Sequence, residues 1–175
     1  MSVTSTRTIT FHGQPMTLVG LKLKVGDRAR DIRVTDIDLS PVLPLAASEG
    51  KARLFMTLPS IDTPVCSIEA KKFSEAIQEL GQTVAVFVVS ADLPFAQQRW
   101  RQTEGIQNLT LLSDYRDMDF ARNWGLLIND LGLLARAVYV VDQNRIVTYC
   151  EIVPEITAEP NYDAAIAALR TVAGM

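Results

Sequence analysis

Apolar positions along this chain fall into short runs whose period alternates between that of a strand and that of a helix. Ala52-Arg53-Leu54-Phe55-Met56-Thr57 and Val84-Ala85-Val86-Phe87-Val88-Val89 are almost continuously apolar, the pattern of strands covered on both faces. Between them, Phe73, Ile77 and Leu80 recur at i, i+4 and i+7, which predicts a helix stopping at Gly81. Strand, helix and strand in that order make a βαβ unit, whose two strands must be parallel and joined by a right-handed crossover. The chain therefore reads as α/β.

Weaker patterns flank this unit. Thr8-Ile9-Thr10-Phe11-His12 and Met16-Thr17-Leu18-Val19 surround Gly13-Gln14-Pro15 and predict an N-terminal β-hairpin over about residues 8–19. Residues 25–44 mix turn formers with brief apolar runs and predict no defined element. Pro94 opens a helix running to Thr103, Leu109-Thr110-Leu111-Leu112 reads as a short strand, and Phe120 and Trp124 share one face of a short helix ending at Gly125. Ala137 to Asp142 and Arg145 to Val153, turning at Gln143-Asn144, form the clearest hairpin. Tyr162, Ile166 and Leu169 mark a last helix from about Pro160 to Val172. No repeat, low-complexity tract or linker intervenes, so residues 1–175 read as one domain.

Composition narrows the function classes. The 175 residues are 48% hydrophobic and 21% charged, enough for a sizeable buried core. With 17 Lys and Arg against 20 Asp and Glu, the net charge of -3 offers no basic excess for nucleic acid or an anionic membrane, and neither is expected as a partner. The longest apolar runs are strand-sized, far short of the roughly 20 residues of a membrane span. Met1-Ser2-Val3-Thr4-Ser5-Thr6-Arg7 is rich in hydroxyls and leads into no apolar core of a secretory signal, which makes the cytoplasm the default location.

Cys66, Cys150 and His12 are the only cysteines and histidine, too few and too scattered for a Cys/His zinc site. There is no CxxC dithiol, and two cysteines do not build a disulfide scaffold. No metal or cofactor is expected. What remains is the chemistry of one activated thiol.

Pro59-Ser60-Ile61-Asp62-Thr63-Pro64-Val65-Cys66 lies between the end of a strand and the start of a helix, where α/β proteins place ligand sites. Thr63 fits the helix N-cap and Pro64 the first helical position, where its missing N–H costs nothing, so Cys66 falls at the third. In a capping box that position holds Glu or Gln facing free backbone donors. A cysteine there gains from the same donors and from the positive end of the helix, which favour thiolate, the nucleophilic form. The helix contributes only about 0.3–1 kcal/mol when exposed and up to about 2 when partly buried. Strong activation therefore requires a nearby cation.

The pattern Pro59-x3-Thr63-x2-Cys66 resembles the peroxiredoxins; around one of two cysteines it would arise by chance in roughly 1% of chains with this composition. Three further words, Ser90-Ala91-Asp92-Leu93-Pro94-Phe95-Ala96, Leu134-Ala135-Arg136-Ala137-Val138 and Glu155-Ile156-Thr157-Ala158-Glu159-Pro160, are similar to the thiol peroxidase branch, from about Thr8 to the last helix. The resemblance implies a thioredoxin-like fold, with a central mixed sheet flanked by helices. It also implies a homodimer that reduces hydrogen peroxide and organic hydroperoxides at the expense of thioredoxin or another thiol. Carried over by motif, Cys66 is the peroxidatic cysteine, Thr63 hydrogen-bonds the peroxide, Pro59 shields the sulfenic acid from water, and Arg136 supplies the missing cation.

One position departs from the pattern. Where that branch usually carries its resolving cysteine, in the helix after the Ala-Asp-Leu-Pro-Phe-Ala word, this chain has Arg101. Regeneration must then use an external thiol, a disulfide between subunits, or Cys150, whose place in the alternation Ile146, Thr148, Cys150, Ile152 otherwise reads as a core thiol. Two other functions fit the same residues: a redox sensor oxidised at Cys66 with little turnover, and a non-catalytic interaction domain that keeps the fold.

Overall fold

The computed structural model describes residues 6–175; the hydroxyl-rich start read above as no secretory leader lies mostly in residues 1–5, outside the described residues. In chain order the elements are β1 (Arg7–Phe11), β2 (Gln14–Val19), β3 (Val34–Asp36), β4 (Pro41–Val42), α1 (Pro44–Ala47), β5 (Ala52–Thr57) and α2 (Pro64–Ile77). A 3-10 stretch, Gln78–Thr83, leads to β6 (Val84–Ser90), α3 (Pro94–Glu104), β7 (Thr110–Ser113), α4 (Asp119–Asn123), β8 (Leu127–Ile128) and β9 (Leu133–Leu134). The chain finishes with β10 (Ala137–Val141), β11 (Val147–Ile152) and α5 (Tyr162–Ala173).

Seven strands form a mixed sheet in the order β11-β10-β5-β6-β7-β3-β4. β5, β6 and β7 are parallel, with Ala52 to Thr57 opposite Val84 to Val89, so the βαβ unit stands where the apolar runs predicted it. β10 runs antiparallel to β5, placing Ala137 opposite Thr57. Successive residues of these central strands face opposite sides. Leu54, Met56, Val86, Val88, Val138 and Val140 enter a core shared with Phe73 and Ile77 of α2 and Leu169 of α5. Phe55, Phe87, Val89, Tyr139 and Val141 enter a second core with Phe120 and Trp124. There the rings of Phe55, Phe120 and Trp124 lie within 4.4–5.9 Å of one another, which explains the four-residue aromatic spacing as packing.

Two features were not legible from the pattern. The N-terminal hairpin is half of a second sheet, ordered β1-β2-β8-β9, which covers the aromatic core. β8 and β9 are two residues each, too short to show a period. The unassigned residues 25–44 hold β3 and β4, of three and two residues, and end on the first residue of the four-residue α1. At Gly81 the backbone takes φ 57°, a positive value that suits glycine and kinks the 3-10 stretch where a helix stop was expected.

No helix of the described residues is long and apolar enough to cross a membrane.

Candidate active site

The carboxyl ends of β5 and β6 and the start of β10 converge on one edge of the sheet, and the segment between β5 and α2 crosses that edge. Thr63 caps α2, its Oγ1 accepting from the Cys66 N–H at 3.3 Å, with Pro64 in the first turn. Cys66 thus sits in the first turn, as the sequence spacing requires, and its side chain is fully buried. Pro59 is buried as well, in the same segment, directly after Leu58, whose N–H donates to the Val89 carbonyl at 3.2 Å.

Arg136 immediately precedes β10, and the pairing of Ala137 with Thr57 sets it beside the end of β5. The contact is reinforced by Thr57 Oγ1, which donates to the Ala135 carbonyl at 2.8 Å. Arg136 Nε donates to the Ile156 carbonyl at 2.8 Å, so the fourth sequence word aims the guanidinium. Arg136 Nη1 lies 3.2 Å from Cys66 Sγ. Arg136 thereby ties the first turn of α2 to the segment at Ile156.

The same Nη1 donates to Glu69 Oε2 at 2.6 Å, and Glu69 is fully buried. Sequence reasoning missed this carboxylate. Its signal was present, since Glu69 follows Cys66 by three residues and residues three apart share a helix face. Arg136 therefore stands against both the thiol and a buried carboxylate.

Burial pushes the Glu69 carboxyl up to about 7, with Arg136 pulling against it, and its Oε1 has no hydrogen-bond partner. Burial works against the charge on Arg136 too, but Cys66 and Glu69 outweigh it and hold the guanidinium's pKa above its ordinary value. For Glu69 the folded state binds the proton more tightly than the unfolded chain, whose ordinary carboxyl titrates near 4.5. The stability this carboxyl contributes is thus complete below about 4.5 and is lost as pH rises through about 7. Glu69→Gln, which cannot ionise, should flatten the decline in urea midpoint measured between those two values; an unchanged slope would mean that Glu69 titrates normally.

Cys150 stands elsewhere. It pairs with Tyr139 across the β10–β11 ladder, so both side chains face the aromatic core, whereas Cys66 belongs to the core beneath α2 and α5. The sheet separates the two thiols, and both are free. Burial also pushes the Cys150 thiol up, and its Sγ lies 3.9 Å from the Leu23 carbonyl. Arg101, in the last turn of α3, donates to Gln107 Oε1 at 2.9 Å at the surface.

The chemistry open to this arrangement is that of a shielded thiol beside one fixed cation and a helix N-terminus. Comparisons with known proteins agree on what kind of chain this is. The redoxin family's sequence model matches residues 24–166. A thiol peroxidase from Streptococcus sanguinis is 49% identical over 93% of this chain and 99% of its own length, and one from Halalkalibacterium halodurans is 49% identical over 93% and 96%. The crystal structure of a peroxiredoxin-like protein from Aquifex aeolicus superposes with a TM-score of 0.87 at 42% identity, over 97% of this chain and 98% of that one. The chain belongs to the redoxin family, and within it to the thiol peroxidase branch of the peroxiredoxins.

Proposed function

We propose that this protein is a thiol-dependent peroxidase whose peroxidatic residue is Cys66, and that an external thiol acting directly on the oxidised sulfur completes the cycle. The observation that carries the assignment is the 3.2 Å approach of Arg136 Nη1 to Cys66 Sγ inside a buried site. A guanidinium at that distance and the start of α2 both favour negative charge on the sulfur, while burial and Glu69's claim on the same nitrogen oppose it.

In the forward step the Cys66 thiolate attacks the terminal oxygen of the hydroperoxide. An S–O bond forms and the O–O bond breaks. Sulfur is oxidised by two electrons and the peroxide reduced by two. The departing oxygen leaves as alkoxide or hydroxide and takes up a proton, giving alcohol or water and Cys66 sulfenic acid. Negative charge moves from sulfur to the leaving oxygen, within reach of Arg136 and of the N–H groups that open α2. Thr63 Oγ1, which also donates to the Ser60 carbonyl at 3.2 Å, is proposed to turn toward the peroxide, and buried Pro59 to keep water from the product. A thiol then displaces water from the sulfenic acid to form a mixed disulfide. A second thiol releases Cys66 and leaves with the first as a disulfide. Arg101 at the usual resolving position, and the separation of Cys150 from Cys66 by the sheet, support resolution from outside the chain.

We also propose a cytoplasmic homodimer. Two free cysteines suit a reducing compartment. Ile68, Leu93 and Phe95, 47%, 52% and 64% exposed near the starts of α2 and α3, supply an apolar rim for a second copy. Light scattering at assay concentration reads the mass. Peroxide consumption with thioredoxin, glutaredoxin and small thiols tests the activity: sustained turnover with at least one is expected, and stoichiometric oxidation with none would leave a sensor in place of an enzyme.

A further inference from the structure

We propose that Cys150 is a second oxidation site, which takes up two oxygen atoms from excess hydroperoxide and holds the resulting sulfinate between the Tyr139 hydroxyl and the Arg7 guanidinium. Cys66, on the other side of the sheet, takes no part in it. Tyr139 stands directly opposite Cys150 on the β10–β11 ladder, with its side chain on the same face. It is 0% exposed, and its hydroxyl oxygen is buried with no hydrogen-bond partner among the described residues. Arg7, at the start of β1, supplies a second such atom, because its Nε is buried and likewise unpartnered. Arg7 Nη2 donates to the Gly125 carbonyl, and a Cβ on Gly125 would lie only 2.5 Å from that nitrogen, so glycine leaves room for the guanidinium. One residue earlier, the Trp124 ring meets the Tyr139 ring edge-on at 5.1 Å, which brings the arginine and the tyrosine to the same place. The charge of Arg7 favours ionisation of both Tyr139 and Cys150, so it lies within electrostatic reach of both.

Two buried donors without an acceptor cost stability. A thiol cannot relieve them, since sulfur is a weak acceptor, and the contact that Cys150 Sγ makes is with the Leu23 carbonyl at 3.9 Å. A sulfinate can. It is an anion with two strong acceptor oxygens, enough for one bond from the Tyr139 O–H and one from the Arg7 Nε–H. Arg7 and Lys22 favour negative charge at this sulfur, against burial and Glu151. Cys150 is only half-buried, which leaves the sulfur open to a small peroxide.

Each oxidation is the same displacement. Sulfur attacks the nearer peroxide oxygen, an S–O bond forms as the O–O bond breaks, and two electrons pass from sulfur to peroxide. The departing oxygen takes a proton and leaves as water or alcohol. The first hydroperoxide gives sulfenic acid and the second sulfinic acid, which releases its proton to solvent. Burial keeps the Cys150 thiolate scarce, so Cys66 takes the first equivalent and Cys150 reacts only when peroxide outruns the catalytic cycle. Oxidation of Cys150 thus marks peroxide excess and, because it gives two stranded donors their acceptor, makes the fold more stable.

The test uses Cys66→Ser, in which Cys150 is the only thiol, by itself and combined with Tyr139→Phe or with Arg7→Met. Peptide masses after a large molar excess of hydrogen peroxide count the oxygens on Cys150, and urea midpoints are taken before and after. Cys66→Ser combined with Cys150→Ser, treated alike, accounts for oxidation elsewhere in the chain. In Cys66→Ser we expect two oxygens on Cys150 and a midpoint higher by about 0.5 M after oxidation. Tyr139→Phe keeps the ring and removes the unmatched hydroxyl, so its reduced form should be at least as stable as its parent and should gain less on oxidation. Arg7→Met should turn the gain into a loss, because the sulfinate is then buried without a cation. Cys150 that stays reduced, a midpoint that falls when Cys66→Ser is oxidised, or a change equal in all three chains overturns the proposal. So does a reduced Tyr139→Phe less stable than its parent, which would mean that water already satisfies the hydroxyl. If Arg7→Met does not fold, the comparison of Tyr139→Phe with its parent decides the matter.

Discussion

Cys66→Ser is expected to reduce peroxide turnover to the background rate of hydroperoxide with the added thiol, in protein that remains folded. The side chain is fully buried, so its replacement must fit the space; serine is slightly smaller, and its oxygen can accept the hydrogen bond that Arg136 Nη1 now directs at sulfur. What is lost is the nucleophile, because a serine hydroxyl beside a guanidinium has no adjacent base to remove its proton. Cys150→Ser should keep turnover, since that thiol faces the opposite core. Peroxide consumption measured for both variants with the reductant that supports wild type separates the two thiols. Activity surviving in Cys66→Ser would remove Cys66 from the chemistry, and loss of activity in Cys150→Ser would make Cys150 the resolver.

Arg136→Met is the second large effect, and it divides into two parts. Catalysis should fall by about 10²- to 10³-fold in the peroxide step, the loss typical of removing one fixed donor to developing charge. Stability should fall by about 3–5 kcal/mol, because the other half of a buried ion pair is left without its partner. Glu69, fully buried and already pushed up to about 7, will then meet the cost by holding its proton to higher pH. Adding Glu69→Gln to Arg136→Met removes the stranded carboxyl, so the double variant should regain much of the stability and none of the rate. Urea midpoints and single-turnover oxidation rates on wild type and both variants check both parts. A double variant as slow as Arg136→Met and more stable supports a catalytic cation; recovery of the rate together with stability would reduce Arg136 to scaffolding.

How much of this could be read from the chain differs by element. The central strands were legible because Leu54, Met56, Val86 and Val88 on one face and Phe55, Phe87 and Val89 on the other leave almost no polar position to hide the run. The helix start at Thr63 and Pro64 was legible from capping chemistry, and with it the place of Cys66. Arg136 was named only through the family word, since nothing local in Leu134-Ala135-Arg136-Ala137 says that β10 will lie beside β5. That neighbourhood is set by strand order, which no periodicity encodes. Glu69 carried a local signal, its three-residue spacing from Cys66, but a buried carboxylate on an apolar helix face becomes conspicuous only once the cation opposite it is placed. Asp92 belonged to a recognised word, but the bonds it accepts from Ser60 and Ile61, more than thirty residues earlier, are set by the fold and not by that word. β8 and β9 left no trace, being two residues long and held mainly by the hairpin they complete.

The separation of Cys150 from Cys66 and the arginine at position 101 leave one question at the centre of the mechanism, the fate of the oxidised sulfur. Mass analysis of the intact chain and its peptides after one equivalent of hydrogen peroxide, in the absence of added thiol, answers it most directly. The account predicts a single oxygen atom on Cys66, with Cys150 reduced and no disulfide within the chain or between copies. A disulfide joining Cys66 to Cys150, in one chain or between two, or a Cys66 left unmodified, would contradict it.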